Sequence, residues 1–253
     1  MKKKYLIYLC GLVLIAAIII GGIIAGANLS YKGESVSVKN SSSSSDSSET
    51  GEEEPTEEAK PVSYKGVVFT GDSILEDVYN YVPIKKAKYV VKSGMGTYTF
   101  YESDYFDAGK TSATGVEMVI KYKAQTVFMC FGMNESVFKD DKGIIEYYAY
   151  AVEDIREELP DCKFVILAVP PTKEETDETI PDKARIDELN ASLEKFAKDY
   201  KCDYYDFSEP FKDKNGFLKD EYDGGDGCHW SPEGCKLFNS QLDEYMARLK
   251  NKI

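Results

Sequence analysis

The chain has 253 residues, a formal net charge of −13, six cysteines and a single histidine. So acidic a protein gains nothing from long-range attraction to nucleic acid or other polyanions, which argues against those as partners. Any histidine-dependent proton transfer must run through one side chain, His229.

Three lysines at positions 2–4 precede an uncharged, apolar stretch from Tyr5 to Ala27. As a helix at ~1.5 Å per residue it would reach about 35 Å, enough for a bilayer core of about 30 Å. The lysines place the preceding end in the cytoplasm, so the chain beyond the stretch lies outside the cell. Residues 1–28 are therefore expected to be an uncleaved signal anchor and single-pass membrane helix. The alternative is a secretory signal cut after Ala25-Gly26-Ala27, from which the protein would be released. Residues 29–61 are expected to be a disordered tether: Ser41 to Ser45 and then Glu52, Glu53, Glu54, Glu57 and Glu58 cannot bury enough apolar surface to offset chain entropy.

Residues 62–253 then form one domain of ordinary size. Val67 to Thr70 read as a strand that stops at Gly71-Asp72-Ser73, with a helix over Ile74–Tyr79. Tyr89-Val90-Val91 is a second strand, ending at Ser93-Gly94-Met95-Gly96, and 112–122 suits a helix. Thr126 to Phe131 is a buried-type strand closed by Gly132-Met133-Asn134. Helical spacing runs over 142–158, with Ile144, Tyr148, Val152 and Ile155 on one face. Lys163 to Val169 is a strand stopped by Pro170-Pro171, and 172–182 a polar loop. An amphipathic helix over 183–199, a short strand at Cys202–Tyr205 and a closing helix over 233–249 complete the domain. Five strands alternating with helices imply a three-layer α/β/α architecture around a parallel sheet. Its site should lie beyond the carboxyl ends of the strands, where the three glycine-rich stops converge. The stretches 97–111, 136–142 and 171–182 are the loops expected to meet substrate.

Ser73, at a strand-to-helix turn, reads either as an N-cap or as a nucleophile beside outward-facing backbone N–H groups. Asn134 reads as a turn residue or as an amide donor to an oxyanion, and Gly96 as a turn residue or a backbone donor. Asp226 stands three residues before His229, close enough to fix its tautomer, with Asp223 as a more distant substitute. Trp230 is expected to pack beneath the loop. Cys130 reads as a small core residue. Outside the apolar segment the cysteines number five, so at least one stays unpaired within the chain; Cys228–Cys235 and Cys162–Cys202 are open pairings.

Taken together, Gly71-Asp72-Ser73-Ile74, Ser93-Gly94-Met95-Gly96, Gly132-Met133-Asn134 and Asp226-Gly227-Cys228-His229 resemble, in order, the four blocks of the SGNH hydrolases, the GDSL esterase/lipase family. Ile74 stands where that family usually has Leu, and Glu135 where it often has Asp. The resemblance spans residues 66–240 and implies a flavodoxin-like sheet and a serine ester hydrolase that needs no metal or cofactor. It implies Ser73 as nucleophile, His229 as acid–base and Asp226 as its orienter, with Ser73, Gly96 and Asn134 forming the oxyanion hole. The expected substrate is a small ester or an acylated, above all acetylated, carbohydrate or cell-wall polymer. Alternatives are a lipid or lysophospholipid esterase, an acyltransferase on the same fold, an inactive carbohydrate-binding module, and a metal site built from Cys228, His229 and Cys235.

Overall fold

A computed structural model describes residues 62–250. The anchor or signal expected over 1–28 and the tether over 29–61 lie outside the described residues. Among the described residues, no helix is long and apolar enough to cross a membrane.

The strands are β1 (Val67–Gly71), β2 (Lys88–Val91), β5 (Thr126–Cys130), β6 (Lys163–Leu167) and β7 (Asp203–Tyr205), in the spatial order β2-β1-β5-β6-β7, every pair parallel. A two-stranded antiparallel ribbon, β3 (Phe106–Asp107) with β4 (Ser112–Ala113), stands apart from it. The helices are α1 (Ser73–Tyr81), α2 (Thr97–Glu102), α3 (Gly115–Lys121), α4 (Asp141–Glu158), α5 (Lys183–Asp199) and α6 (Pro232–Lys250). Every residue of β1 is buried, as a strand covered on both faces must be, and Phe69 stacks on Phe128 of β5 with ring centroids 5.1 Å apart.

The chain leaves β1 toward β2, then crosses back over β1 to reach β5 and continues outward to β6 and β7. Right-handed crossovers running in opposite directions put their helices on opposite faces. So α1 pairs with the returning α6 on one face, while α2 and α3 pack on α4, and α4 on α5, on the other. The direction reverses between β1 and β5, and in open α/β sheets ligands bind at such a point, outside the carboxyl ends of the strands. Ser73 follows β1 and Asn134 follows β5, so both residues stand at this point of reversal.

Several boundaries differ from the sequence reading, each for a tertiary reason. The stretch 97–111, which reads as a loop, holds α2 and one strand of the ribbon. The helix expected from 112 starts at Gly115, because Ser112 and Ala113 are held in the ribbon and Thr114 caps the helix by accepting from the Glu117 N–H at 3.2 Å. Strand β5 stops at Cys130, since the Phe131 N–H turns to the Tyr148 hydroxyl at 2.9 Å. Strand β6 stops at Leu167; both backbone groups of Val169 pair with the Asn190 amide, at 2.7 and 2.9 Å. Helix α5 has the expected bounds, with Asp182 as its N-cap and Ile186, Leu189, Leu193 and Phe196 on its buried stripe. Cys130 is buried, and Cys130, Cys162, Cys202, Cys228 and Cys235 are all free thiols, so neither open disulfide pairing forms.

Trp230 packs beneath its loop as expected. It is 1 % exposed and lies against Phe207, Phe211 and Phe238, with the Phe211 ring stacked 4.8 Å away.

Candidate active site

Strand β1 delivers its last residue, Gly71, into a gap that a larger residue could not enter. A Cβ there would sit 2.7 Å from the Cys130 carbonyl oxygen and 2.9 Å from Leu75 Cδ1. The helix cap is Asp72, not Ser73: Asp72 Oδ1 accepts from the Ile74 N–H at 3.0 Å. Ser73 is thereby released from capping and opens α1 with its hydroxyl aimed at His229. The distance from Ser73 Oγ to His229 Nε2 is 2.8 Å, across 156 residues of sequence.

The other ring nitrogen, His229 Nδ1, lies 2.6 Å from Asp226 Oδ2. The second oxygen of Asp226 accepts from the backbone N–H groups of Cys228 and His229, at 3.0 and 2.9 Å. One carboxylate thus grips both the ring and the backbone of the same histidine. Asp223 does different work. Its Oδ1 accepts from Gly225 and Gly227 N–H, both at 2.9 Å, and it holds the loop rather than the imidazole.

The electrostatics derive from this arrangement. Burial pushes the Asp226 carboxyl up, but the His229 side-chain and backbone bonds and the Cys228 N–H outweigh it and hold the group below its ordinary range. Burial pulls the His229 ring down. The hydrogen bond to Asp226 and its charge, with Asp77 and Asp72 further off, outweigh that and raise the ring above 6.5. With Asp226 ionised, a neutral His229 carries its proton on Nδ1, leaving the Nε2 lone pair to face the Ser73 hydroxyl. The arrangement can draw a proton from serine and return it elsewhere.

Asn134 donates from Nδ2 to Asp72 Oδ2 at 3.1 Å, with the Met95 carbonyl at a long 3.5 Å. The Gly96 N–H, expected as a free donor, is engaged: it donates to Thr99 Oγ1 at 2.9 Å. Gly96 is the N-cap of α2, and the threonine hydroxyl three residues on takes the capping position. The structure therefore brings Ser73, Asp226, His229 and Asn134 together, and it holds Gly96 in a closed local bond.

Sequence reasoning assigns no role to Glu135. Its side chain is buried and accepts from Thr97 N–H (2.8 Å), Thr97 Oγ1 (2.7 Å) and, more weakly, Tyr98 N–H (3.4 Å). It lies directly on Gly96, where a Cβ would stand 2.3 Å from Glu135 Cδ. This contact, between segments 38 residues apart in sequence at the Thr97 bond, explains both the glycine and the short helix α2. The only signal for it is a carboxylate next to Asn134. Among the described residues no group of three or more His, Cys, Asp and Glu could hold a metal ion, so Cys228, His229 and Cys235 do not form one.

Asp72 is 1 % exposed, and burial raises its carboxyl to about 7, with the charge of Glu135 adding and the Ile74 N–H and His229 opposing. A carboxyl raised on folding costs stability as it ionises. The native state is unpenalised below the unfolded value near 3.8, and the penalty grows until pH passes about 7. Asp72→Asn removes that titration and keeps a good helix cap. Because the Asn amide would keep the cap but turn its NH2 toward Asn134 Nδ2, which now donates to Asp72 Oδ2, the variant is expected to melt below the parent at pH 4 and to lose less stability than the parent between pH 4 and 8, as thermal denaturation across that range would read.

A model of the GDSL-like lipase/acylhydrolase family matches residues 69–237. Among solved structures, the chain is similar to a GDSL-like lipase of Bacteroides thetaiotaomicron, with 21 % identity over 72 % of this chain and 88 % of that one and a TM-score of 0.59. It is similar to a carbohydrate esterase family 3 protein of Talaromyces cellulolyticus, at 16 % identity, 74 % and 98 % coverage and a TM-score of 0.53. An acetyl xylan esterase gives 16 % identity, 70 % and 96 % coverage and a TM-score of 0.50. Comparison with curated proteins finds no match.

Proposed function

This chain belongs to the GDSL-like lipase/acylhydrolase family and is an ester hydrolase, and from that premise we propose that it acts through a Ser73–His229–Asp226 triad on acetyl esters of carbohydrate. The observation that carries the triad is the unbroken line from Asp226 Oδ2 through both ring nitrogens to Ser73 Oγ, with links of 2.6 and 2.8 Å. Ser73 Oγ attacks the ester carbonyl as His229 Nε2 takes its proton. The proton then passes to the departing alcohol, leaving an acetyl group on Ser73. Water, deprotonated by the same nitrogen, cleaves that ester and restores the serine. Asp226 holds the ring in its reactive tautomer and stabilises the imidazolium.

The Ser73 N–H at the start of α1 and the Asn134 amide form the oxyanion hole, with Asn134 keeping one N–H on Asp72 and turning the other from its long contact with the Met95 carbonyl. The Gly96 N–H joins them only by leaving Thr99, which makes it a donor recruited by the substrate. A single such donor contributes about 10²–10³ in rate. The names of two structural neighbours, a carbohydrate esterase and an acetyl xylan esterase, support an acetylated sugar as substrate. Residues 1–28 as a membrane anchor and 29–61 as a tether would hold the domain outside the cell, within reach of surface polymers.

The test is hydrolysis of nitrophenyl acetate and nitrophenyl octanoate by the protein and by Ser73→Ala. The parent is expected to favour acetate, and Ser73→Ala to lose about 10⁴-fold or more in kcat. Equal rates in the two proteins would remove Ser73 from the mechanism. A preference for octanoate would turn the substrate toward lipid.

A further inference from the structure

Phe138 is 75 % exposed, the most exposed large apolar side chain among the described residues. It stands four residues after Asn134, so at ~3.5 Å per residue it is no more than about 14 Å along the chain from that amide. Leaving a phenylalanine in water forgoes roughly 2–3 kcal/mol of burial. A mobile loop could fold it away, but this backbone is fixed on both sides of it. Arg185 of α5 donates from Nε to the Ser136 carbonyl at 2.8 Å and from Nη2 to the Lys139 carbonyl at 3.2 Å, and its Nη1 meets Asp141 at 2.6 Å. Phe138 and Lys139 N–H groups both close on the Glu135 carbonyl at 2.9 Å.

The same segment is joined to α2. The Glu135 carboxylate holds the start of that helix, and the Lys139 ammonium lies 5.0 Å from the Tyr98 ring centroid. Tyr98 is 44 % exposed and comes two residues after Gly96. Phe138 and Lys139 are consecutive in the chain and Lys139 reaches Tyr98, so an exposed ring, an ammonium and a phenol are carried by the segments that follow Asn134 and Gly96.

We propose that these three residues together form a sugar subsite, in which the pyranose ring bearing the ester lies on the face of Phe138 while Tyr98 and Lys139 hydrogen-bond its hydroxyls. The proposal rests on the reading of the site as an esterase of acetylated carbohydrate. An aromatic face matches the C–H face of a sugar ring, and polar neighbours match its rim. The surroundings disfavour an anionic lipid surface, because Asp140 and Asp141 come directly after Lys139 and the whole chain carries −13. They suit a neutral glycan.

The experiment compares the full-length parent, Phe138→Ala, Phe138→Tyr and Tyr98→Phe on three substrates: nitrophenyl acetate, acetylated xylo-oligosaccharides and O-acetylated peptidoglycan fragments. On at least one glycan, Phe138→Ala is expected to raise KM by about five-fold more than it does on nitrophenyl acetate, a size set by one aromatic contact. Phe138→Tyr is expected to restore the parent value, and Tyr98→Phe to raise KM on the glycan by a smaller factor. Equal KM for parent and Phe138→Ala on both glycans overturns the proposal. So does an equal loss on all three substrates, which would make Phe138 structural. A parent that cleaves nitrophenyl acetate and neither glycan overturns the sugar subsite and leaves ester hydrolysis standing. A parent inactive on all three overturns the catalytic reading itself.

Discussion

On the proposed triad, His229→Ala is expected to lower kcat/KM on nitrophenyl acetate by about 10⁵–10⁶, as loss of the acid–base histidine does in serine hydrolases. The chain has no second histidine to substitute for it. The pH profile gives the same test without a mutation. A base must be neutral to accept the serine proton, so activity should rise as His229 deprotonates. Because the ring is held above 6.5, the midpoint of the acid limb of kcat/KM should lie above 6.5. Asp226→Asn removes the bond and charge that raise it and leaves burial, which lowers it. The acid limb should then move to lower pH while kcat falls by about 10⁴. An acid limb that stays in place in Asp226→Asn would mean that some other group controls the rate.

Trp230→Ala is expected to be the most destabilising single change in the domain. The side chain is 1 % exposed, and its removal opens a hole among Phe207, Phe211 and Phe238. Truncations of this kind cost about 3–5 kcal/mol, which in a domain of this size lowers the melting midpoint by about 10 °C. Trp230→Phe should cost much less. It keeps a ring against Phe211 and deletes an indole N–H that is buried without a partner. Urea or thermal denaturation of the two variants checks the order. If Trp230→Phe were as damaging as Trp230→Ala, the stacking would count for little beside the lost volume.

The legible parts of this molecule are those whose causes are local. The alternation of apolar strands with amphipathic segments is local, and it implies the parallel sheet. Helix α5 is bounded correctly from sequence because Asp182 caps it and its apolar stripe is continuous. The Asp226–His229 pair is legible because three residues separate its members. Non-local causes are not. Helix α2 reads as loop because Glu135, 38 residues away, organises its first turn. The Gly96 N–H looks free because nothing in the sequence says that Thr99 Oγ1 turns back to it. Ser73 alone reads as a helix cap, and only the structure shows Asp72 taking that place. The approach of Ser73 to His229 is inferred from the order of four short blocks, since no local rule spans 156 residues.

That separation has a consequence for the timing of synthesis. Strand β1 and Ser73 leave the ribosome early, and at about 5–20 residues per second His229 emerges roughly 8–30 s later. Until then the serine has no base. Helix α6, which follows His229, lies beside α1, and it is held by the Tyr205 hydroxyl donating to the Gln241 carbonyl and Asn239 Nδ2 donating to the Val82 carbonyl. On the proposed triad, a growing chain still shorter than 229 residues therefore carries its serine without the acid–base partner and cannot cleave esters by this mechanism.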